Sequence, residues 1–217
     1  MSAPVLEGVG LGFAAGEHTV LRDASVAVGP GELVAVEGPS GAGKTVLLTL
    51  LLRLRPVEQG TVRWEGDDVT ALSFGALRSR RRRVQALLQH TGASLPPYLT
   101  VRQALDETRS HVGGGDPAEL VQALGLAGLL DRHPRHLSGG EQRRAGLARL
   151  FLAEPAVAVV DEPDAGLDPP SQVAVLQRLR DRCDAGMGCL LVTHQRGLAR
   201  RFADRVLALR EGALHAA

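Results

Sequence analysis

Four residues, Gly38, Gly43, Lys44 and Thr45, stand at the spacing G-x-x-x-x-G-K-T in "GPSGAGKT". Glycines so placed let successive backbone N–H groups converge on a phosphate at a helix N-terminus, where the helix dipole also favours negative charge. In this phosphate-loop (Walker A) pattern Pro39, Ser40, Gly41 and Ala42 form the cradle, and Val46 continues into the helix. Lys44 is then expected to reach the β- and γ-phosphates of a nucleoside triphosphate, and the Thr45 hydroxyl to meet Mg2+. A chance glycine turn is the bland alternative. The complete motif, with an apolar run before it and a leucine-rich run after it, argues against that.

Lys44 is also the only lysine among 25 basic residues. Isoleucine and asparagine are absent, which points to a GC-rich gene in which arginine serves as the general surface cation. A lysine kept under that pressure belongs where a compact point charge fits and a planar guanidinium does not.

A second cluster lies in "AVAVVDEPDAGLD", where the apolar run Val157 to Val160 reads as a buried parallel strand ending in Asp161 and Glu162. Ligands of open α/β sheets bind beyond the carboxyl ends of strands, so these acids should face the phosphate loop. Asp161 fits a Mg2+ ligand, and Glu162 fits a general base that orients the attacking water. A helix-like run, "SQVAVLQRLRDRC", leads to a further apolar strand, "CLLVTH". A right-handed crossover puts that strand parallel to the first, with His194 at the same edge. There its imidazole could bind a γ-phosphate or hold the attacking water.

A third cluster is "HLSGGEQRR". Ser138 and Glu141, three apart, fit a capping box. Gly139 and Gly140 do not follow from that, because each costs a helix roughly 1 kcal/mol relative to alanine. Bare backbone is wanted there.

These clusters need a scaffold, and the pattern of runs supplies one. The expected class is α/β: a phosphate-loop core with a mainly parallel sheet, an N-terminal antiparallel β region and an inserted α-helical subdomain. One domain of residues 1–217 is expected, its core formed by 1–88 and 155–217 and its helical subdomain by about 89–154. The 217 residues suffice for one such domain. The net charge of +1 implies no nucleic-acid surface. Apolar runs such as "VLLTLLL" are too short to span a membrane, and "MSAPVLEGVG" is not a signal peptide. Cys183 and Cys189 read as reduced thiols. Together these give the expectation of a soluble, cytoplasmic protein. "RSRRRR", Arg78 to Arg83, reads as a solvated helix face.

With these motifs in order, the sequence resembles the ATP-binding subunits of ABC transporters. "LSGGEQ" corresponds to the family signature, Gln89 to the Q-loop glutamine that joins the catalytic groups and Mg2+, and Asp161 and Glu162 to the Walker B pair. "AGLD" ending at Asp168 corresponds to the D-loop, His194 to the switch histidine, and Phe13 to an aromatic that stacks on adenine. The resemblance implies ATP and Mg2+ as cofactors and a head-to-tail dimer with a second ATPase subunit. Each ATP would lie between the phosphate loop of one chain and Ser138, Gly139, Gly140 and Glu141 of the other. It also implies transmembrane permease subunits touching the Q-loop and helical subdomain, and hence a peripheral position on the cytoplasmic face of the membrane. "ASLPPYLTV" after Gln89 resembles peptide and nickel importer ATPases, with Pro96 in the place of their usual asparagine, and also phosphonate-metabolism ATPases. A soluble ABC ATPase of a non-transport complex, such as one of phosphonate metabolism, is therefore the alternative. A phosphate-loop kinase would not need "LSGGEQ" and would need a phosphoacceptor site that the sequence does not offer.

Overall fold

The computed structural model describes residues 3–88, 95–112 and 116–217. Gln89 lies outside these, and so do the triple glycine at 113–115 and the residues that join Gln89 to Leu95.

The chain begins with a long antiparallel pair, β1 (Leu6–Ala15) and β2 (His18–Val28). Alternate residues of β2 such as Ala24, Val26 and Val28 turn inward, the period-2 pattern of a sheet with one wet face. After β3 (Leu33–Glu37) and α1 (Lys44–Leu51) the chain returns to this sheet with β4 (Gln59–Trp64) and the two-residue β5 (Asp67–Asp68). The resulting order is β2-β1-β4-β5, antiparallel throughout. A short helix, α2 (Phe74–Leu77), then leads into β6 (Val84–Leu87).

Between 95 and 154 the described residues form helices and irregular turns only: α3 (Val101–Val112), α4 (Ala118–Ala123), short 3-10 turns and α5 (Gly139–Leu152). The core resumes with β7 (Val157–Asp161), α6 (Pro169–Asp184), β8 (Gly188–Val192) and α7 (Arg196–Phe202). It ends in the hairpin of β9 (Arg205–Arg210) and β10 (Ala213–Ala216). The second sheet runs β10-β9-β3-β8-β7-β6, with β9, β3, β8, β7 and β6 parallel. Every residue of β3, β7 and β8 is buried, as continuous Val, Leu and Ala runs require of strands covered on both faces. The architecture is the expected mixed α/β one.

One apolar core lies between the two sheets and is centred on α1, with Leu47, Leu48, Leu50 and Leu51 at its heart. The other joins the opposite face of the parallel sheet to α3, α5 and α6. Cys183 and Cys189 sit within that second core, both fully buried and free.

The arginine run keeps Arg78, Arg82 and Arg83 exposed, as a solvated face requires, but Arg81 departs from that role. Arg81 stacks near Trp64 and Phe74, at 5.8 and 5.9 Å from the ring centres, and donates to the carbonyls of Leu52 and Arg53 at 3.2 and 3.3 Å. Arg80 pairs with Asp67 of β5, and Arg83 with Glu65 in the turn between β4 and β5. The long guanidinium arms cover apolar surface and bind strand ends, so part of the run is structural.

Candidate active site

The carboxyl ends of β3, β7 and β8 meet at one edge of the parallel sheet, and the chemistry-bearing residues gather there. Behind β3 the loop turns into α1 through Gly43, whose φ is +98°. A Cβ on Gly43 would lie 2.8 Å from the Val20 side chain, so the turn admits only glycine. The first turn of α1 has no capping side chain and no acid. Its N–H groups are thus oriented for an anion.

Lys44 is 8% exposed, and its Nζ donates to the carbonyls of Gly38 and Pro39 at 2.8 and 2.9 Å. Burial lowers its pKa, against the opposing pull of Glu162 and Asp161. Asp161, the last residue of β7, is 2% exposed, and its Oδ2 has no hydrogen-bond partner. Burial, and then repulsion from Glu162, raise the Asp161 pKa, with Lys44 opposing them. An orphaned, charge-strained carboxylate oxygen in the cleft that Thr45 also lines suits a hard, oxygen-seeking divalent cation such as Mg2+.

Glu162 adopts φ +49° just past the strand, and its N–H donates to the Val192 carbonyl at 2.8 Å. The turn swings its side chain to 2.7 Å (Oε1) from Nε2 of His194, which stands two residues beyond β8. A mostly buried carboxylate held by a half-exposed imidazole is a geometry able to accept a proton from water and keep its own orientation.

These groups line one cleft of about 420 Å³, comprising Val20, Ser40, Gly41, Gly43, Lys44, Thr45, Val46, Asp161, Glu162 and His194. Val20 was not foreseen from the sequence. It comes from β2, and no local signal marks a strand residue that folds over a distant loop. Phe13 does not line the cleft. It is half-buried opposite Leu21, with the Arg55 guanidinium 5.4 Å over its ring, so a base stacked on Phe13 would have to share or displace that cation.

The segment 137–144 lies outside the cleft lining. The capping box is fully formed: Ser138 Oγ accepts from the Glu141 N–H at 3.3 Å, and Glu141 Oε2 accepts from the Ser138 N–H at 2.7 Å. That backbone donor holds the Glu141 carboxyl below its ordinary pKa. The two glycines are not equivalent. A Cβ on Gly139 would meet nothing within 4 Å, whereas one on Gly140 would lie 2.9 Å from Cδ2 of Leu167. Gly140 is therefore partly explained by packing inside the chain, and Gly139 alone presents open backbone. Arg143 donates to the Ala165 carbonyl, so α5 is tied to the 162–168 turn. Asp168 precedes α6, and its carboxyl is held below its ordinary pKa mainly by the Ser171 hydroxyl.

Residues 21–165 match the sequence pattern of the family described as "ABC transporter". The chain belongs to the ABC transporter family. This ABC domain is 34% identical over 216 residues to the methionine import ATP-binding protein MetN of Brucella abortus, which covers 97% of the chain and 58% of that protein. It therefore spans about three-fifths of the length of that curated relative. It is 37% identical over 218 residues to a probable anion import ATP-binding protein of Haloferax volcanii, covering 93% of the chain and 76% of that protein. A solved ATP-binding subunit of an ABC transporter superposes with a TM-score of 0.87 at 28% identity, over 98% of the domain and 88% of that chain. A dimeric ATP-binding cassette in a post-hydrolysis state, bound to ADP and Pi, shares the fold with a TM-score of 0.86 at 24% identity over 97% of the domain and 96% of that chain.

Proposed function

We propose that the chain is the ATP-binding and ATP-hydrolysing subunit of an ABC importer and that it works as a head-to-tail pair. The observation that carries this reading is the 2.7 Å contact between Glu162 and His194 at the rim of a cleft that also holds Lys44, Thr45 and Asp161. The α1 N-terminus and Lys44 bind the phosphates. The Thr45 hydroxyl and the orphaned Asp161 oxygen hold Mg2+, which when bound neutralises charge developing on the β- and γ-phosphates. Glu162 accepts the proton of the attacking water, and His194 fixes the Glu162 carboxylate and reaches toward the γ-phosphate. Gln89, outside the described residues, is proposed to join this set, and Phe13 to meet the adenine.

A closed pair follows from what one chain carries. It has a phosphate loop and, away from it, the exposed N-terminus of α5 with the open backbone of Gly139. A second copy can complete both sites by twofold symmetry, with Ser138, Gly139, Gly140, Glu141 and Asp168 facing the partner's ATP. ADP lacks the γ-phosphate, so hydrolysis loosens the pair.

The import direction is supported by the two relatives, a methionine import ATP-binding protein and a probable anion import ATP-binding protein. The peptide or nickel assignment suggested by "ASLPPYLTV" gains no support from these relatives. No helix among the described residues is long and apolar enough to cross a membrane. Transmembrane permease subunits are proposed to supply the transport path. A cavity of about 350 Å³ between β6, α3 and α5, lined by Arg78, Arg81, Arg82, His111 and Arg149, supports a docking face close in sequence to Gln89. The proposed position is peripheral, on the cytoplasmic face of the membrane.

Replacing Glu162 with glutamine should slow hydrolysis about a hundredfold to ten-thousandfold, the range for loss of a general base, while ATP still binds. Near-normal turnover would sink the assignment.

A further inference from the structure

Two residues that no motif singles out make a second cross-link between the segments carrying Glu162 and His194. The strands β7 and β8 stay in register up to Asp161 opposite Val192 and are joined once more by the Glu162 N–H to the Val192 carbonyl. Beyond that point the two chains leave the sheet, and ladder hydrogen bonds no longer fix their separation. On the cleft side the gap is closed by Glu162 and His194 at 2.7 Å. On the buried side it is closed by Thr193, whose Oγ1 donates to Asp164 Oδ2 at 3.0 Å.

Each residue of the buried pair is fixed by further bonds. Thr193 Oγ1 also accepts from the Gln195 N–H at 3.0 Å, so one hydroxyl spans the turn on which His194 sits. The Asp164 carbonyl accepts from the Leu167 N–H at 3.3 Å and from Gln172 Nε2 at 3.4 Å, so the same residue anchors the turn that follows Glu162. Asp164 is 3% exposed and Thr193 1%. The second oxygen of Asp164, Oδ1, is buried with no hydrogen-bond partner. Leaving a buried acceptor unsatisfied costs about 1–3 kcal/mol, and more for a charged group, so packing or stability alone is a poor reason for a carboxylate here.

We propose that Asp164 and Thr193 are positioning residues for ATP hydrolysis, their buried hydrogen bond setting the separation of Glu162 and His194. This rests on the functional reading above, in which Glu162 is the general base. Neither residue lines the cleft; Thr193 acts through the adjacent His194, and Asp164 through Glu162 two residues before it. The pair works as a strut under the catalytic contact, and a shift of about 1 Å at such a contact can change a rate a hundredfold.

The test uses the full chain. Asp164→Ala and Thr193→Val should each lower kcat about ten- to hundredfold and leave the KM for MgATP within about twofold. Asp164→Asn and Thr193→Ser, which keep an acceptor and a donor, should retain most of the wild-type kcat. The double variant Asp164→Ala/Thr193→Val should be no slower than the worse single variant, because both remove one interaction. A readout independent of turnover is the imidazole nitrogen NMR signal of His194, assigned by its loss in His194→Ala. That signal should move in Asp164→Ala and Thr193→Val and stay in place in the Asn and Ser variants. Wild-type kcat in Asp164→Ala, losses that multiply in the double variant, or an unmoved His194 signal would each overturn the proposal. Normal turnover in Glu162→Gln would instead remove the functional reading itself. An inactive Glu162→Gln beside an unimpaired Asp164→Ala would remove the strut alone.

Discussion

Alanine at Gly139 should make the free chain more stable and the working pair weaker, and that opposition is the signature of backbone kept bare for a partner. Both signature glycines open α5, and neither has a positive φ, so alanine is compatible with the backbone at each. At Gly139 the added Cβ meets nothing within 4 Å. The helix-propensity gain, about 0.5–1 kcal/mol at most in a first turn, is then realised. For a domain of this size that corresponds to a rise in Tm of roughly 1–4 °C. At Gly140 the Cβ lies 2.9 Å from the end of the Leu167 side chain. Displacing that side chain costs about 1 kcal/mol, which cancels the gain and leaves Tm within about 2 °C of wild type. In the pair, the Gly139 methyl group would stand between the helix N-terminus and an incoming phosphate. Hydrogen bonds to charged groups contribute about 1.5–3 kcal/mol, and the proposed pair contains two such sites, so ATP-driven association should weaken about a hundredfold to ten-thousandfold. Thermal melts give the first quantity, and sedimentation velocity with ATP in the Glu162→Gln background gives the second. A lower Tm for Gly139→Ala, or undiminished association, would show that this backbone is not kept bare for a partner.

Other perturbations separate the roles of the cleft residues. Lys44→Arg keeps the charge but puts a planar fork where Nζ now fits between the Gly38 and Pro39 carbonyls; it should cost at least about tenfold in kcat/KM for ATP, and unchanged kinetics would defeat the space argument. Asp161→Asn should abolish Mg2+-dependent turnover yet raise Tm at neutral pH. The sign follows from the raised pKa of Asp161: as pH rises from its ordinary 3.8 through the raised value, the folded chain holds more protons than the unfolded one and stability falls. The gap in Tm between Asp161→Asn and wild type should therefore widen from pH 4 to pH 7, and a constant gap would contradict the strain at Asp161. Arg143→Ala should reduce turnover while the capping box of α5 survives, because it removes the tie to the Ala165 carbonyl and a positive charge near Asp161 but no bond of the capping box; unchanged turnover would show that the tie is structural.

The parts of the site legible in the sequence are those whose chemistry is compressed into one contiguous stretch. "GPSGAGKT" encodes its own loop and helix start. Val157–Asp161 and the run to His194 encode buried strands by apolar continuity and their sheet edge by the acid or histidine that ends them. The capping box is local in the same way. Contacts that join distant stretches were not legible. Val20 reaches the cleft from β2, Leu167 packs on Gly140, and Thr193 bonds Asp164 across two strands. Each depends on where β2, β7 and β8 lie relative to α1 and α5, which no single stretch specifies. The role of Arg81 is hidden for a similar reason: the charge of the arginine run is local and most of the run is exposed, but Trp64, Phe74 and the Leu52 and Arg53 carbonyls that Arg81 covers are brought to it by the fold.

In the proposed pair each ATP site is built from two chains. Two disabled variants, Lys44→Ala and Gly139→Glu, break opposite halves of that site, and each alone should be nearly inactive. Mixed in equal amounts they form hybrid pairs in which one site takes its phosphate loop from the Gly139→Glu chain and its signature segment from the Lys44→Ala chain, both intact. Random pairing makes about half of the dimers hybrid with one good site in two, so ATPase activity should recover to about a quarter of wild type. A mixture no more active than its components would contradict the shared site.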